Sequence, residues 1–240
     1  MSCSDELLVL AGGFGTRLRS AVSDVPKPLA PVYKQPYLYY LIDKWVSEGV
    51  SKFTFLLHHQ SELIEKYIEL QQAKGKLNNC EIRISKEPEA LGTGGAVAYA
   101  VKKFQLSGTF LVANADTWLT SGIERMFDVS TPSMAIVSVE NSERYGHVEV
   151  DMNNKIVAFK EKEVSSGTGW INAGLYRLNA NDFYNWNEQA FSLERELFPK
   201  LVDMNELSAI PLDTDFIDIG VPEDYFRFCN WIESGKKGHL

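Results

Sequence analysis

The stretch LLVLAGGFGTRLRSAVSDVPKPLAPV, residues 7–32, limits the fold more than any other part of this chain. Five apolar, β-prone residues, Leu7 to Ala11, run straight into Gly12, Gly13 and Gly15. A short, unbroken apolar run that stops at glycines reads as a strand buried on both faces. Such a strand needs helices above and below it, and the next hundred residues supply them. PYLYYLIDKWVSEG sets Leu38, Leu41, Ile42, Trp45 and Val46 at helical spacing, with Pro36 before it and Gly49 at its end. KFTFLL reads as a strand, SELIEKYIELQQ as a helix with Ser61 as its cap, and CEIRIS as a third strand. GGAVAYAVKKF is a third helix, and TFLVANAD a strand that ends at a carboxylate.

This alternation predicts an α/β fold, a three-layer sandwich around a mixed, mostly parallel sheet. The second half changes character: SMAIVSVE, GHVEVD, KIVAFKEK and WINAGLYRL are strands with few helices between them. Helices return with SLERELFPKLVD and PEDYFRFCNWIES. No Gly-, Pro- or Ser-rich linker separates the halves, so a single domain over residues 1–240 is expected.

The net charge of -8 argues against a nucleic-acid backbone as partner, although a local basic pocket remains open. Cys3, Cys80 and Cys229 are odd in number and widely spaced, which suggests neither a disulfide framework nor a zinc site. No leader-like segment opens the chain and no apolar run reaches membrane-spanning length. A soluble, cytoplasmic protein without membrane or nucleic-acid partners is expected, and a homo-oligomer stays open.

The glycines let backbone N–H groups approach an anion with no side chain in the way. In an open α/β sheet this loop lies where ligands bind, beyond the carboxyl ends of the strands. It is not a Walker A loop, because Gly-Thr-Arg stands where Gly-Lys-Ser/Thr belongs. Nor is it a dinucleotide fingerprint, which fails at Leu18. Arg17 offers a planar fork for phosphate oxygens, and Lys27 a compact charge held between Pro26 and Pro28. Nothing pairs a nucleophile with a base. His58 and His59 follow a strand without a ligand cluster and read as core or loop residues.

LAGGFGTRLRS…VPKPLAPV resembles the signature of the sugar-nucleotide pyrophosphorylases, which join a nucleoside triphosphate to a sugar 1-phosphate. The likeness continues through EPEALGTGGAV, NADTW, EK at Glu161 and Lys162, NAG at Asn172 to Gly174, and FIDIGVPEDY. The last of these, with FSLERELFPKL, is most similar to guanylyltransferases acting on D-glycero-α-D-manno-heptose 1-phosphate. The resemblance implies a Rossmann-like nucleotidyltransferase fold with a nucleotide half, about residues 1–120, and a sugar-phosphate half, about 121–240. It implies GTP and the heptose phosphate as substrates and Mg²⁺ as cofactor.

By the same resemblance, Arg17, Lys27 and Asp116 are catalytic, and Asp116 and Asp218 hold the metal. Leu10, Gly12, Gly13, Gly15, Thr16, Arg17, Glu87, Gly92, Thr93 and Asn114 contact the nucleotide. Glu87 reads the N–H donors of guanine, since a carboxylate only accepts. Gly146, Glu161, Lys162 and Asn172 hold the sugar phosphate. Rival readings are the same chemistry on another base and sugar, and a non-catalytic relative. The presence of Lys27, Asp116 and Asp218 weighs against the second.

Overall fold

The computed structural model describes residues 6–140, 145–161 and 168–236. In chain order its first elements are β1 (Leu7–Leu10), the short pair β2 (Pro31–Val32) and β3 (Gln35–Pro36), α1 (Tyr37–Ser47), β4 (Lys52–Leu57), α2 (Ser61–Ala73), β5 (Glu81–Lys86), α3 (Gly92–Phe104), β6 (Thr109–Asn114) and β7 (Thr117–Leu119). The second half adds β8 (Ser133–Val139), β9 (Gly146–Val150), β10 (Ile156–Glu161), β11 (Gly169–Asn179), a π-helical turn at Leu193–Leu197, α4 (Phe198–Asp203), β12 (Ser208–Pro211), β13 (Phe216–Asp218) and α5 (Pro222–Glu233).

The main sheet runs β10-β9-β11-β6-β1-β4-β5, with β8 joining β11 and β12 joining β8. Strands β6, β1, β4 and β5 are all parallel. Beyond β6 the pairing reverses: β11 is antiparallel to β6, β8 and β9, and β9 to β10.

Strand β1 shows why the sequence folds this way. Leu7 and Val9 belong to a core that also contains Leu38 and Leu41 of α1, Ile64 of α2 and Phe228 of α5. Leu8, between them, belongs to the opposite core, with Val97 of α3 and Phe198 of α4. All three are fully buried, because alternate side chains enter cores on both faces of one sheet. This is the expected α/β sandwich. Among the described residues no helix is long and apolar enough to cross a membrane.

Two local expectations need correction. Val46 is not on the buried face of α1: Leu38, Leu41, Ile42 and Trp45 are buried, but Val46 is exposed. At about 100° per residue it lies about 40° past Ile42, on the flank of the stripe. Ser61 does not cap α2 either. Gln60, in a left-handed conformation (φ 52°), is the cap residue, and the Ser61 hydroxyl donates to Glu62 instead. The chain turns into the helix one residue earlier than the serine suggests.

Candidate active site

The loop leaving β1 opens onto a groove with two lobes. A lobe of about 280 Å³ is lined by Leu10, Gly12, Gly13, Phe14, Leu56, His58, Glu87, Ala90, Gly92, Thr93, Ala96, Asn114 and Asp116. A more polar lobe of about 210 Å³ is lined by Leu10, Ala11, Gly13, Gly15, Thr16, Arg17, Lys27, Pro28, Ala115, Asp116 and Gly220. Leu10, Gly13 and Asp116 border both, so the lobes are continuous. The structure therefore gathers every residue expected to contact a nucleotide.

Glycine is required at two points of the first loop. Gly15 has φ +60°, and a Cβ there would stand 3.2 Å from Cβ of Lys27. A Cβ on Gly12 would meet the backbone nitrogen of His58 at 2.9 Å. The loop is thus pressed against the end of β4 on one side and the Lys27 segment on the other.

At the floor of the polar lobe Lys27 faces two carboxylates. Its ammonium donates to Oδ2 of Asp116 at 2.5 Å and lies 3.7 Å from Oδ1 of Asp218. The carboxylates are 102 positions apart (218 − 116). The ribbon of β7 and β13 joins them, placing Asp218 opposite Thr117, and Ile219 N–H donates to the Asp116 carbonyl at 3.0 Å. Gly220 N–H then donates to Oδ1 of Asp218 at 2.7 Å.

The charges settle as this geometry requires. Burial disfavours the charged form of Lys27, but Asp116 and Asp218 more than offset it, and its pKa rises. Burial alone would raise Asp116, yet the adjacent Lys27 ammonium holds its carboxyl below the usual range. Asp218, raised by burial and by the Asp116 charge, is left less well compensated. One ammonium between two carboxylates leaves a net negative charge. Hard oxygen donors with uncompensated charge suit a divalent cation such as Mg²⁺. Among the described residues no cluster of three or more His, Cys, Asp or Glu side chains forms, so a cation here would complete its shell from phosphate oxygens and water. Arg17 is exposed at the mouth of this lobe and makes no ion pair among the described residues.

In the larger lobe Glu87 is half-buried, and burial raises its carboxyl despite the Leu91 N–H and His58 nearby. Leu91 N–H donates to its Oε2 at 2.9 Å. The Thr93 hydroxyl is engaged in structure. It donates to Oε2 of Glu194 at 2.6 Å and accepts from Leu193 N–H at 2.9 Å. Phe191 completes this clamp: its carbonyl takes the Gly94 and Gly95 N–H groups at 3.0 and 3.2 Å. A Cβ on Gly94 would strike the Phe191 ring. The first helical N–H groups of α3, those of Gly92 and Thr93, have no acceptor within the helix among the described residues.

The sugar-side residues lie along β9 and β11. Gly146 pairs with Glu161 across β9 and β10, and a Cβ on it would come 3.9 Å from Cβ of Asn172. Asn172 is more constrained than the sequence suggests. Its Nδ2 donates to the Tyr176 hydroxyl at 2.9 Å, and its Oδ1 accepts from Gly174 N–H at 2.9 Å, across a bulge where Gly174 has φ +69°. Lys162 and the side chain of Glu161 lie outside the described residues.

Sequence reasoning missed His58, Phe14 and Gly220. His58, read as a core or loop residue, lines the larger lobe with Phe14 edge-on to it at 5.9 Å. Gly220 had a signal: the Asp-Ile-Gly spacing fits a turn in which the carboxylate accepts from the N–H two residues on.

The nucleotidyl transferase family matches residues 6–235. The D-glycero-α-D-manno-heptose 1-phosphate guanylyltransferase of Campylobacter jejuni is 32% identical over 93% of this chain and 98% of the relative. Its namesake from Aneurinibacillus thermoaerophilus is 32% identical over 92% of this chain and 95% of the relative. The crystal structure of HddC from Yersinia pseudotuberculosis superposes with a TM-score of 0.80 at 33% identity, over 95% of this chain and 99% of that one. The same protein complexed with GMP-PN gives a TM-score of 0.79 at 32% identity, over the same shares of the two chains. A glycine loop at a parallel strand end, a lysine between two carboxylates and full-length likeness to these proteins together place the chain in the nucleotidyl transferase family.

Proposed function

We propose that this enzyme transfers a guanylyl group from GTP to D-glycero-α-D-manno-heptose 1-phosphate. The products are GDP-heptose, destined for surface polysaccharide, and pyrophosphate. The observation that carries the reading is the Lys27 ammonium set between Asp116 and Asp218 at the floor of a polar lobe that opens into a base-sized one. The relatives named for this reaction, which match the chain almost end to end, supply the guanine and the heptose.

A phosphate oxygen of the sugar 1-phosphate attacks the α-phosphorus of GTP. The bond from that phosphorus to the bridging oxygen breaks, and pyrophosphate leaves with the electron pair. No side chain forms a covalent bond, so the protein contributes alignment and charge neutralisation. Arg17 holds the triphosphate and the departing pyrophosphate. Lys27 neutralises the reacting phosphates. Asp116 and Asp218 would hold Mg²⁺, which supplies charge neutralisation at the phosphate oxygens. Glu87 accepts from the guanine edge, and the Gly92 and Thr93 N–H groups meet the nucleotide. Lys162, with Glu161, holds the sugar phosphate, and Gly146 and Asn172 border its hydroxyls. GTP as substrate fits a cytoplasmic enzyme.

The test is pyrophosphate release with Mg²⁺ for GTP, ATP, CTP, UTP and dTTP, each paired with the heptose, mannose or glucose 1-phosphate. Release with GTP and the heptose phosphate alone is expected, abolished by a chelator and restored by Mg²⁺. Release with another pair keeps the chemistry and changes the substrates. No release with any pair overturns the catalytic reading.

A further inference from the structure

We propose that His58 donates a hydrogen bond to the six-position oxygen of guanine, beside Glu87, so that the two side chains form a donor–acceptor–acceptor row. This inference rests on, and deepens, the guanine reading above. Strands β4 and β5 pair in parallel with Leu57 opposite Lys86, and the ladder continues as Glu87 N–H donates to the Leu57 carbonyl at 3.0 Å. His58 and Glu87 therefore leave adjacent strand ends side by side, about 4.8 Å apart at the backbone. Both line the larger lobe. Leu56, which shares the face of His58 by the strand's two-residue period, lines it as well. Phe14 stands edge-on against the imidazole at 5.9 Å and limits where the ring can swing.

The chemistry of the pair selects one base. An imidazole carries an N–H donor whether neutral or charged, and an ionised carboxylate only accepts. Leu91 N–H occupies one acceptor position on Oε2 of Glu87 and leaves the others. Guanine offers an acceptor at O6 and donors at N1 and N2, which matches the row at all three places. Adenine reverses the first two. Cytosine opposes all three. Uracil and thymine place an oxygen where the row ends in a carboxylate oxygen. A site built on paired hydrogen bonds rejects bases that leave its groups unpaired.

The experiment is calorimetric titration of the full-length protein with GTP, ITP, ATP and UTP, in Mg²⁺ and without sugar phosphate. Wild type, His58→Leu and His58→Gln are compared, with circular dichroism melts confirming the fold. In wild type GTP binds most tightly, and ITP, which lacks the two-amino group, binds about tenfold more weakly. In His58→Leu the affinities for GTP and ITP fall together by about tenfold, so their ratio holds, while ATP is not weakened. His58→Gln, with an amide donor, recovers GTP affinity to within about threefold of wild type. An unchanged GTP-to-ATP ratio in His58→Leu overturns the inference, as does an equal loss for all four nucleotides. A wild type that prefers another triphosphate sinks the guanine reading and this inference together. Intact GTP preference here, with another sugar phosphate turned over in the pyrophosphate assay, sinks only the sugar assignment.

Discussion

The two sides of the sheet present their chemistry differently. On the parallel side, β1, β4, β5 and β6 all point their carboxyl ends the same way, and the loops beyond them deliver Gly12, His58, Glu87 and Asp116 to one groove. On the antiparallel side, Gly146 and Asn172 sit within strands, and their place depends on the β9–β11 pairing and on the bulge at Gly174. Parallel strands concentrate groups at one edge. Antiparallel strands spread them along a surface, which suits an extended polyhydroxyl partner better than a compact phosphate cluster. Electrostatics thus sets the outcome on the first side and backbone shape on the second.

The sharpest way to break this contrast is Lys27→Met. It leaves Asp116 and Asp218 facing each other without the ammonium. Turnover is expected to fall by about 10³-fold. Unfolding in urea should show a loss of about 1 kcal/mol, because the partly buried Asp116 and Asp218 are left facing each other without the ammonium. A stable, active variant would mean that the lysine neither balances the two carboxylates nor neutralises the reacting phosphates. Next come Asp116→Asn and Asp218→Asn, each predicted to cost about 10²-fold or more in turnover with the fold intact. Near-normal Mg²⁺-dependent rates in either would remove it from the metal site. Asp218→Asn should disturb stability less, since it relieves the repulsion that raises this carboxyl.

A smaller effect is expected across the sheet. In Gly146→Ala the added Cβ falls 3.3 Å from the Phe159 ring and 3.9 Å from Cβ of Asn172. The KM for the sugar phosphate should rise about tenfold while that for GTP moves by less than about threefold. Equal rises would erase the distinction between the two sides. The mildest change is Glu87→Gln, which should lower the preference for GTP over the other triphosphates by about tenfold. An unchanged preference would place base reading elsewhere.

Much of this was legible in the sequence, for identifiable reasons. Buried parallel strands are unbroken apolar runs, so β1, β4 and β6 stand out. Arg17, Lys27 and the glycines form one local pattern, and Asp116 closes an apolar run. The residues that escaped depend on what lies beside them in space. His58 looks like any histidine after a strand until the β4–β5 register sets it beside Glu87. The partner of the Thr93 hydroxyl, Glu194, lies 101 positions later, where no local pattern points to it. Val46 and Ser61 failed for another reason: each was placed by a local rule whose boundary moved by one residue or a few tens of degrees.

The clamp on α3 also bears on how the protein is made. Phe191 to Glu194 brace the Gly92–Gly95 turn, yet they follow it by about a hundred residues, as in the bond from Leu193 to Thr93. A ribosome adding ~10 residues per second delivers the brace on the order of ten seconds after the turn. During that interval the nascent chain carries a complete glycine loop whose base-side wall has nothing to lean on. Competence to hold a nucleotide should therefore arrive late in synthesis, and a fragment ending near residue 120 should not acquire it.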